Sequence, residues 1–388
     1  MKIEKKLIEE KNKLENLDNI GAKEIFLKSK KLENTLKAFL LLIFMVIVIF
    51  FGKKIYLNNR VILNHSNKGI FSSFLQAPSP KLKKILVIGS IGYDLTTYYE
   101  KMPVLGETIV GRKFAQNPGG KGDNQAVAAA RAGGDVTFIG AVGDDNYENI
   151  LKKNLEDNNV KHNLKVVPDM SCQIATILVD QNGQNRIIIV PGANNYVDKK
   201  QIDDNEKLID ENDIILMQLE IPIETVEYAI DKAYEKKKII VLNPAPGQPL
   251  SDNILKKVDY LTPNESELAL ITGMPTDTIE QIELASKKII ELGARNLIVT
   301  LGEKGCLLSN KEGTKLFPAF PTKAIDTTGA GDCFAGAFVT YLSKGYPVED
   351  AIKYANLASS ISVTKIGTIP SLPTQKEISD ARKKIENW

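Results

Sequence analysis

The run Asp326-Thr327-Thr328-Gly329-Ala330-Gly331-Asp332 decides how this chain is read. It follows an apolar, β-branched segment and leads into Cys333-Phe334-Ala335-Gly336-Ala337-Phe338, which reads as a buried helix. A Gly-rich turn therefore opens a helix that carries an aspartate in its first turn. Small residues let backbone N–H groups converge on an anion, and the helix dipole adds positive potential there. Such a turn suits a phosphate. A carboxylate in the same place is repelled by phosphate, so Asp332 needs a reason to be there. Taking a proton from a hydroxyl that attacks the phosphate is such a reason. A turn with an ordinary aspartate cap is the plainer alternative.

Outward from this turn, short apolar runs alternate with helical patterns. Lys84–Gly89, Asp135–Gly140, Ile214–Leu219, Ile239–Leu242, Tyr260–Thr262 and Asn296–Leu301 read as strands. Asn124–Ala132, Glu148–Asn158, Ile223–Glu235, Ile279–Leu292 and Val348–Thr364 read as helices. Buried strands alternating with helices predict a three-layer α/β/α fold around a parallel sheet. Residues 94–114 and 173–191 break the alternation. They are richer in Thr, Tyr and polar residues and read as extra strands, a small β lid over a site.

Composition narrows the chemistry. Hydrophobic content of 43% and charged content of 25% in 388 residues are ordinary for a globular protein. The net charge is +2, and no basic face stands out, so nucleic acid is not expected as a partner. Cys172, Cys306 and Cys333 lie far apart with no CxxC spacing, which argues against a zinc site or a disulfide framework. Only His65 and His162 are present, so carboxylates must do any acid–base work.

The N-terminal part differs. Residues 1–37 form a charged extension with hints of a short amphipathic helix. Residues 38–52, AFLLLIFMVIVIFFG, carry no charge and are read as an apolar helix that anchors the chain to a membrane. The run is shorter than the ~20 residues that span a bilayer, so packing in an interface is the alternative. Lysines on both sides leave orientation open. Residues 53–80 read as a linker, and 81–388 as the folded domain.

Residues 81–375 resemble the ribokinase family of carbohydrate kinases. Two signatures carry the resemblance, about two hundred residues apart and in the family's order. The first is Gly119-Gly120-Lys121-Gly122-Asp123-Asn124-Gln125-Ala126, and the second is Asp326–Asp332. Between them lie Gln218-Leu219-Glu220, Asn243-Pro244-Ala245-Pro246, Thr262-Pro263-Asn264-Glu265-Ser266-Glu267 and Thr300-Leu301-Gly302-Glu303-Lys304-Gly305. Lys365-Ile366-Gly367-Thr368-Ile369-Pro370-Ser371 follows.

The resemblance implies ATP-dependent phosphorylation of D-ribose at its 5-hydroxyl, with Asp332 as general base and Gly329, Ala330 and Gly331 supplying amides. It assigns Gly92, Asp94, Gly120, Lys121, Asn124 and Glu220 to the sugar, together with Asp332. It assigns Asn264, Thr300, Gly302, Gly305, Gly331 and Asn356 to ATP, and Glu267 to Mg²⁺ through water. It implies K⁺ activation at Asp326, Thr328, Ser362, Lys365, Gly367 and Ser371, some through backbone carbonyls. A homodimer through the lid and a cytoplasmic catalytic domain are further implications. Family members usually have a small residue at position 123; Asp123 is expected to cap the following helix or to alter the sugar pocket. The competing readings are a fructokinase- or adenosine kinase-type enzyme of the same family, and a non-catalytic, membrane-tethered sugar sensor.

Overall fold

The computed structural model describes residues 82–181 and 184–385. The expectations for residues 1–37, 38–52 and 53–80 lie outside them. Among the described residues no helix is long and apolar enough to cross a membrane.

In chain order the strands are β1 (Lys84–Ile88), β2 (Gly92–Tyr98), β3 (Lys113–Gly119), β4 (Asp135–Gly143), β5 (Lys161–Val167), β6 (Gln173–Val179), β7 (Asn185–Val190), β8 (Ile214–Met217), β9 (Ile239–Leu242), β10 (Tyr260–Leu261), β11 (Asn296–Thr300), β12 (Cys306–Asn310) and β13 (Gly313–Phe317). The large sheet has the order β13-β12-β11-β10-β9-β8-β1-β4-β5. Its strands pair in parallel from β5 to β11, and β12 and β13 add antiparallel at one edge.

Strand alternation explains why the central strands are apolar throughout. Ile85 and Val87 enter one core, while Leu86 and Ile88 enter the other. Ile214 and Leu216 divide from Ile215 and Met217 in the same way. Side chains of a strand point to opposite faces, so a strand covered by helices on both sides must be apolar at every position. The first core takes the helices Lys121–Arg131, Ala330–Ser343 and Val348–Ser362, and the second takes Ile223–Glu235 and Ile279–Glu291. These are the three layers the sequence predicts.

One contact in the first layer positions the site. A Cβ on Gly336 would lie 2.6 Å from both Ala128 Cβ and Gln125 O. The Ala330–Ser343 helix can therefore press against the Lys121–Arg131 helix only because residue 336 is glycine. One turn further on, the Thr340 hydroxyl donates to Ala129 O at 2.9 Å. One turn back, the same face of the helix carries Asp332 toward Asn124 and Gln125.

The lid is a separate four-stranded sheet of order β3-β2-β6-β7, with β2 and β6 parallel and the outer pairs antiparallel. Strands β6 and β7 lie within residues 173–191 as read in the sequence, whereas the first pair departs from 94–114. The first begins at Gly92, and its partner β3 runs from Lys113 through Gly119, directly into the glycine-rich signature. Gln116, Asn117 and Pro118 hide that strand from a propensity reading.

Candidate active site

The functional side chains gather at the C-terminal ends of the parallel strands, where open α/β sheets bind ligands. Two adjoining cavities occupy this edge. The larger, about 480 Å³, lies under the lid and is lined by Asp94, Gly120, Lys121, Asn124, Glu220 and Asp332. Its roof is apolar, with Ala175 and Ile177 of β6 and Ile187 and Ile189 of β7. The smaller, about 160 Å³, is polar and lined by Asn243, Thr262, Asn264, Glu267, Thr300 and the turn Gly329–Asp332. Lys121, Gly329 and Asp332 line both.

The glycine-rich turn has the form the sequence implies. Gly329 caps the Ala330–Ser343 helix with φ +75°, in the left-handed region that favours glycine. A Cβ there would also meet Thr368 Cγ2 at 2.3 Å. A Cβ on Gly331 would meet nothing within 4 Å, so this residue leaves the smaller cavity open. The Ala330 N–H donates to Thr327 O at 3.2 Å and closes the turn. The N–H groups of Gly331 and Asp332, in the first turn, lack the i−4 carbonyl of a helix interior.

The sugar-motif residues converge from three elements. Gly120, with φ +91°, caps the Lys121–Arg131 helix. A Cβ on Gly122 would strike Ser90 O at 2.5 Å and Ser90 N at 2.6 Å, so this helix start sits against the β1–β2 turn. Glu220 binds both: its Oε2 accepts from the Ser90 hydroxyl at 2.6 Å and from Lys121 N at 2.9 Å. The helix N-terminus thereby holds one oxygen of that carboxylate. Gly119 leaves room for Asp94, because a Cβ there would lie 2.5 Å from both Asp94 oxygens. Asp332 receives Asn124 Nδ2 on Oδ2 and Gln125 Nε2 on Oδ1, both at 2.9 Å.

The charges are interdependent. Burial pushes the Asp94 carboxyl up to about 7, and Glu220 and Asp332 push the same way against Lys121. Burial opposes the charge on Lys121, yet Asp332, Glu220, Glu267 and Asp94 outweigh it and hold the ammonium above its ordinary range. Burial also raises Glu267, against Asn264 N–H and Lys121. One lysine thus sits among four carboxylates that span both cavities and offsets part of their charge.

Asn264 and Glu267 form a capping box on the Glu265–Thr272 helix. Asn264 Oδ1 accepts from Glu267 N, and Glu267 Oε2 accepts from Asn264 N. Thr262 Oγ1, buried on the same wall, has no hydrogen-bond partner. Beside the glycine turn, Asp326 accepts from Thr328 N at 2.9 Å and Gly367 N at 2.8 Å. Ser362 and Ser371 are buried nearby in the chain, with hydroxyls donated to Ser359 O and Thr368 O. The Lys365 ammonium is turned to Glu377 at 2.7 Å, which leaves only its backbone for any ion.

Not every residue expected at the sugar or the nucleotide lines a cavity. Gly92, Gly302, Gly305 and Asn356 line neither cavity. A Cβ on Gly92 would meet Gln173 Cβ at 2.6 Å, so it serves packing between β2 and β6. The Asn356 amide donates to Phe317 O at 3.3 Å. Asp123 is not the expected helix cap. The helix starts at Lys121, so Asp123 falls within its first turn, wholly buried, and both its oxygens accept from Asn154 Nδ2. Conversely, Gln125, Gln218 and Asn243 belong to the site's framework, although the residues in isolation give no signal of it.

A model of the pfkB family of carbohydrate kinases matches residues 82–375. A deoxyribokinase from Salmonella typhimurium is 39% identical over 298 residues, covering 76% of this chain and 97% of its own length. A ribokinase from Bacillus subtilis is 37% identical over 300 residues, covering 77% of this chain and 99% of its own. The solved structure of Arabidopsis thaliana ribokinase complexed with ribose and ATP aligns with a TM-score of 0.74 at 32% identity. That alignment covers 78% of this chain and 99% of the plant enzyme.

Proposed function

The chain belongs to the pfkB family of carbohydrate kinases, and on that premise we propose that it transfers the γ-phosphoryl group of ATP to the 5-hydroxyl of D-ribose, giving D-ribose 5-phosphate and ADP. One observation carries the reading: the wall shared by the lid cavity and the polar cavity consists of Lys121, Gly329 and Asp332. A hydroxyl on one side can meet a phosphate on the other only past these residues. The fructokinase and adenosine kinase readings and the idle-sensor reading are not favoured.

In this reading the sugar occupies the lid cavity. Asp94 accepts hydrogen bonds from two neighbouring hydroxyls, and the free oxygen of Glu220 accepts from another. Gly120, Lys121 and Asn124 complete the cradle. Asp332 accepts the proton of the 5-hydroxyl as its oxygen attacks phosphorus, and the Gly331 N–H and the helix dipole stabilise charge on the moving group. The Lys121 ammonium offsets part of the carboxylate charge and so eases the approach of phosphate. Asn264, Thr300, Gly302, Gly305 and Asn356 are assigned to the nucleotide.

The polar cavity suits a hard cation carried in with ATP. Glu267 is its one carboxylate besides Asp332, Asn264 adds an amide oxygen, and Thr262 Oγ1 lacks a partner. Mg²⁺ keeps several waters and leans on few carboxylates; bound with ATP it supplies charge neutralisation on the phosphates. Asp326, Thr328, Ser362, Lys365, Gly367 and Ser371 are assigned to an activating K⁺, read out as higher turnover in KCl than in LiCl.

A homodimer through the lid belongs to the same proposal. The edge strand β7 exposes Ile188 and Val190, 64% and 54% accessible, beside unpaired backbone groups. The catalytic domain is assigned to the cytoplasm, where ATP is available. Membrane contact through residues 38–52 is tested by pelleting the chain with and without residues 1–60.

The deciding experiment is a phosphorylation panel with labelled ATP and D-ribose, 2-deoxy-D-ribose, fructose and adenosine. The deoxy sugar is included because a relative at 39% identity is a deoxyribokinase. Ribose turnover at the 5-position is expected. Binding of sugars without any ATP consumption refutes the proposal.

A further inference from the structure

We propose that Gln125 is a positioning residue for Asp332, fixing the carboxylate to the edge of the central sheet so that one of its oxygens is left to take the proton. The inference rests on Asp332 being the base.

Gln125 is wholly buried, one residue after Asn124, and lines neither cavity. It therefore has no direct use for substrate. Its side chain nevertheless has three partners. Nε2 donates to Asp332 Oδ1 and to Asn243 Oδ1, both at 2.9 Å. Oε1 accepts from Gln218 Nε2 at 2.6 Å. The polarity of this chain is dictated from its far end. The Asn243 amide nitrogen donates to Thr262 O at 2.7 Å, and a backbone carbonyl can only accept. Asn243 must then turn its oxygen to Gln125, and Gln125 its nitrogen to Asp332. Gln218 completes the chain by donating to the remaining oxygen. Gly89 makes room for it, since a Cβ there would lie 2.1 Å from Gln218 Oε1.

The relay thus runs along the ends of β8, β9 and β10, under the turn that ends β1, and terminates on the base. Asp332 sits on a helix, and helices shift against sheets more readily than neighbouring strands shift against each other. A hydrogen-bonded strut from sheet to carboxylate removes that freedom. Its chemistry also suits a group that must change protonation state. The Gln125 N–H faces Oδ1, on the core side. Asn124, which lines the lid cavity, faces Oδ2. When Oδ2 takes a proton, Oδ1 remains an acceptor and the Gln125 bond persists. The donor beside Oδ2 is Asn124, whose own Oδ1 is buried without a partner and can accept the new O–H after rotation of the amide.

The test is Gln125→Met, similar in length and without a donor, made alone and with Asp332→Asn. Loss of a hydrogen bond to a charged group predicts a fall in kcat of roughly ten- to hundredfold. The KM values for ribose and ATP are expected to stay within about threefold, because no substrate contact is removed. On the Asp332→Asn background, Gln125→Met is expected to cause no further loss, since the group it positions is gone. Unchanged kcat, a loss carried mainly by KM, or an equal loss on both backgrounds overturns the inference while leaving the base assignment intact. Near-normal turnover by Asp332→Asn alone overturns both. If Gln125→Met does not fold, Gln218→Met decides. A several-fold fall in kcat that vanishes on the Asp332→Asn background supports the relay, and unchanged kcat overturns it.

Discussion

Asp94 should make sugar capture depend on pH in the neutral range. Its carboxyl is pushed up to about 7, first by burial and then by Glu220 and Asp332, with Lys121 opposing. Only the ionised form accepts from two hydroxyls at once. With a midpoint near 7, about a tenth of the free enzyme is competent near pH 6 and about nine tenths near pH 8. The value of kcat/KM reports ionisations of the free enzyme. It should therefore rise about tenfold across that range for ribose, and the ribose Kd from calorimetry on the nucleotide-free protein should fall by the same factor. Two variants identify the group. Asp94→Asn should lower kcat/KM roughly ten- to hundredfold and abolish the inflection. Lys121→Met removes the one opposing charge, so whatever activity survives should show its inflection at higher pH. A flat profile between pH 6 and pH 8, or an inflection that persists in Asp94→Asn, would refute the reasoning.

Other consequences can be measured on the same protein. Gly331→Ala adds a methyl where nothing lies within 4 Å, so the melting temperature should hold or rise, while the methyl intrudes on the phosphate cavity and turnover falls at least about tenfold. Gly329→Ala faces both a left-handed φ and Thr368 Cγ2, and should cost roughly 1–3 kcal/mol of stability by denaturant titration along with activity. Asp123 is held well above its ordinary range by burial first and by Asp94 second. Its folded form binds the proton more tightly, so its contribution to stability is full below the unfolded value near 3.9 and is lost as pH rises through the folded one. Asp123→Asn should therefore be more stable than the parent at neutral pH, by about 1–3 kcal/mol, and the gap should narrow in acid. Equal stability of the two at pH 7.5 would exclude an uncompensated buried charge at this position.

The fold was legible wherever burial imposes a pattern. Runs such as Lys84–Gly89 and Ile214–Leu219 are apolar at every position because both faces of the large sheet are covered. The turn at Gly329–Asp332 was legible because left-handed backbone and close approach call for small residues. Strand β3 was not, since Gln116, Asn117 and Pro118 owe their strand pairing to β2 rather than to propensity. Asp123 was misplaced for a related reason. Its helix begins at Lys121, capped by Gly120, and a polar residue near a helix start looks like a cap until the true start is known. Gln125, Gln218 and Asn243 stand in motifs that carry the family resemblance, but nothing local to them shows that they meet. Each is a polar residue on a separate element, and only tertiary packing joins them into one chain ending on Asp332.

The most direct test of the central claim is the turnover of Asp332→Asn with ribose and ATP. The variant should fold, because Asn124 can turn its unpartnered Oδ1 toward the new amide. Its kcat should fall by on the order of 10²–10⁴ while ADP binding is retained. Turnover within a few-fold of the parent would contradict the assignment of this carboxylate as the proton acceptor.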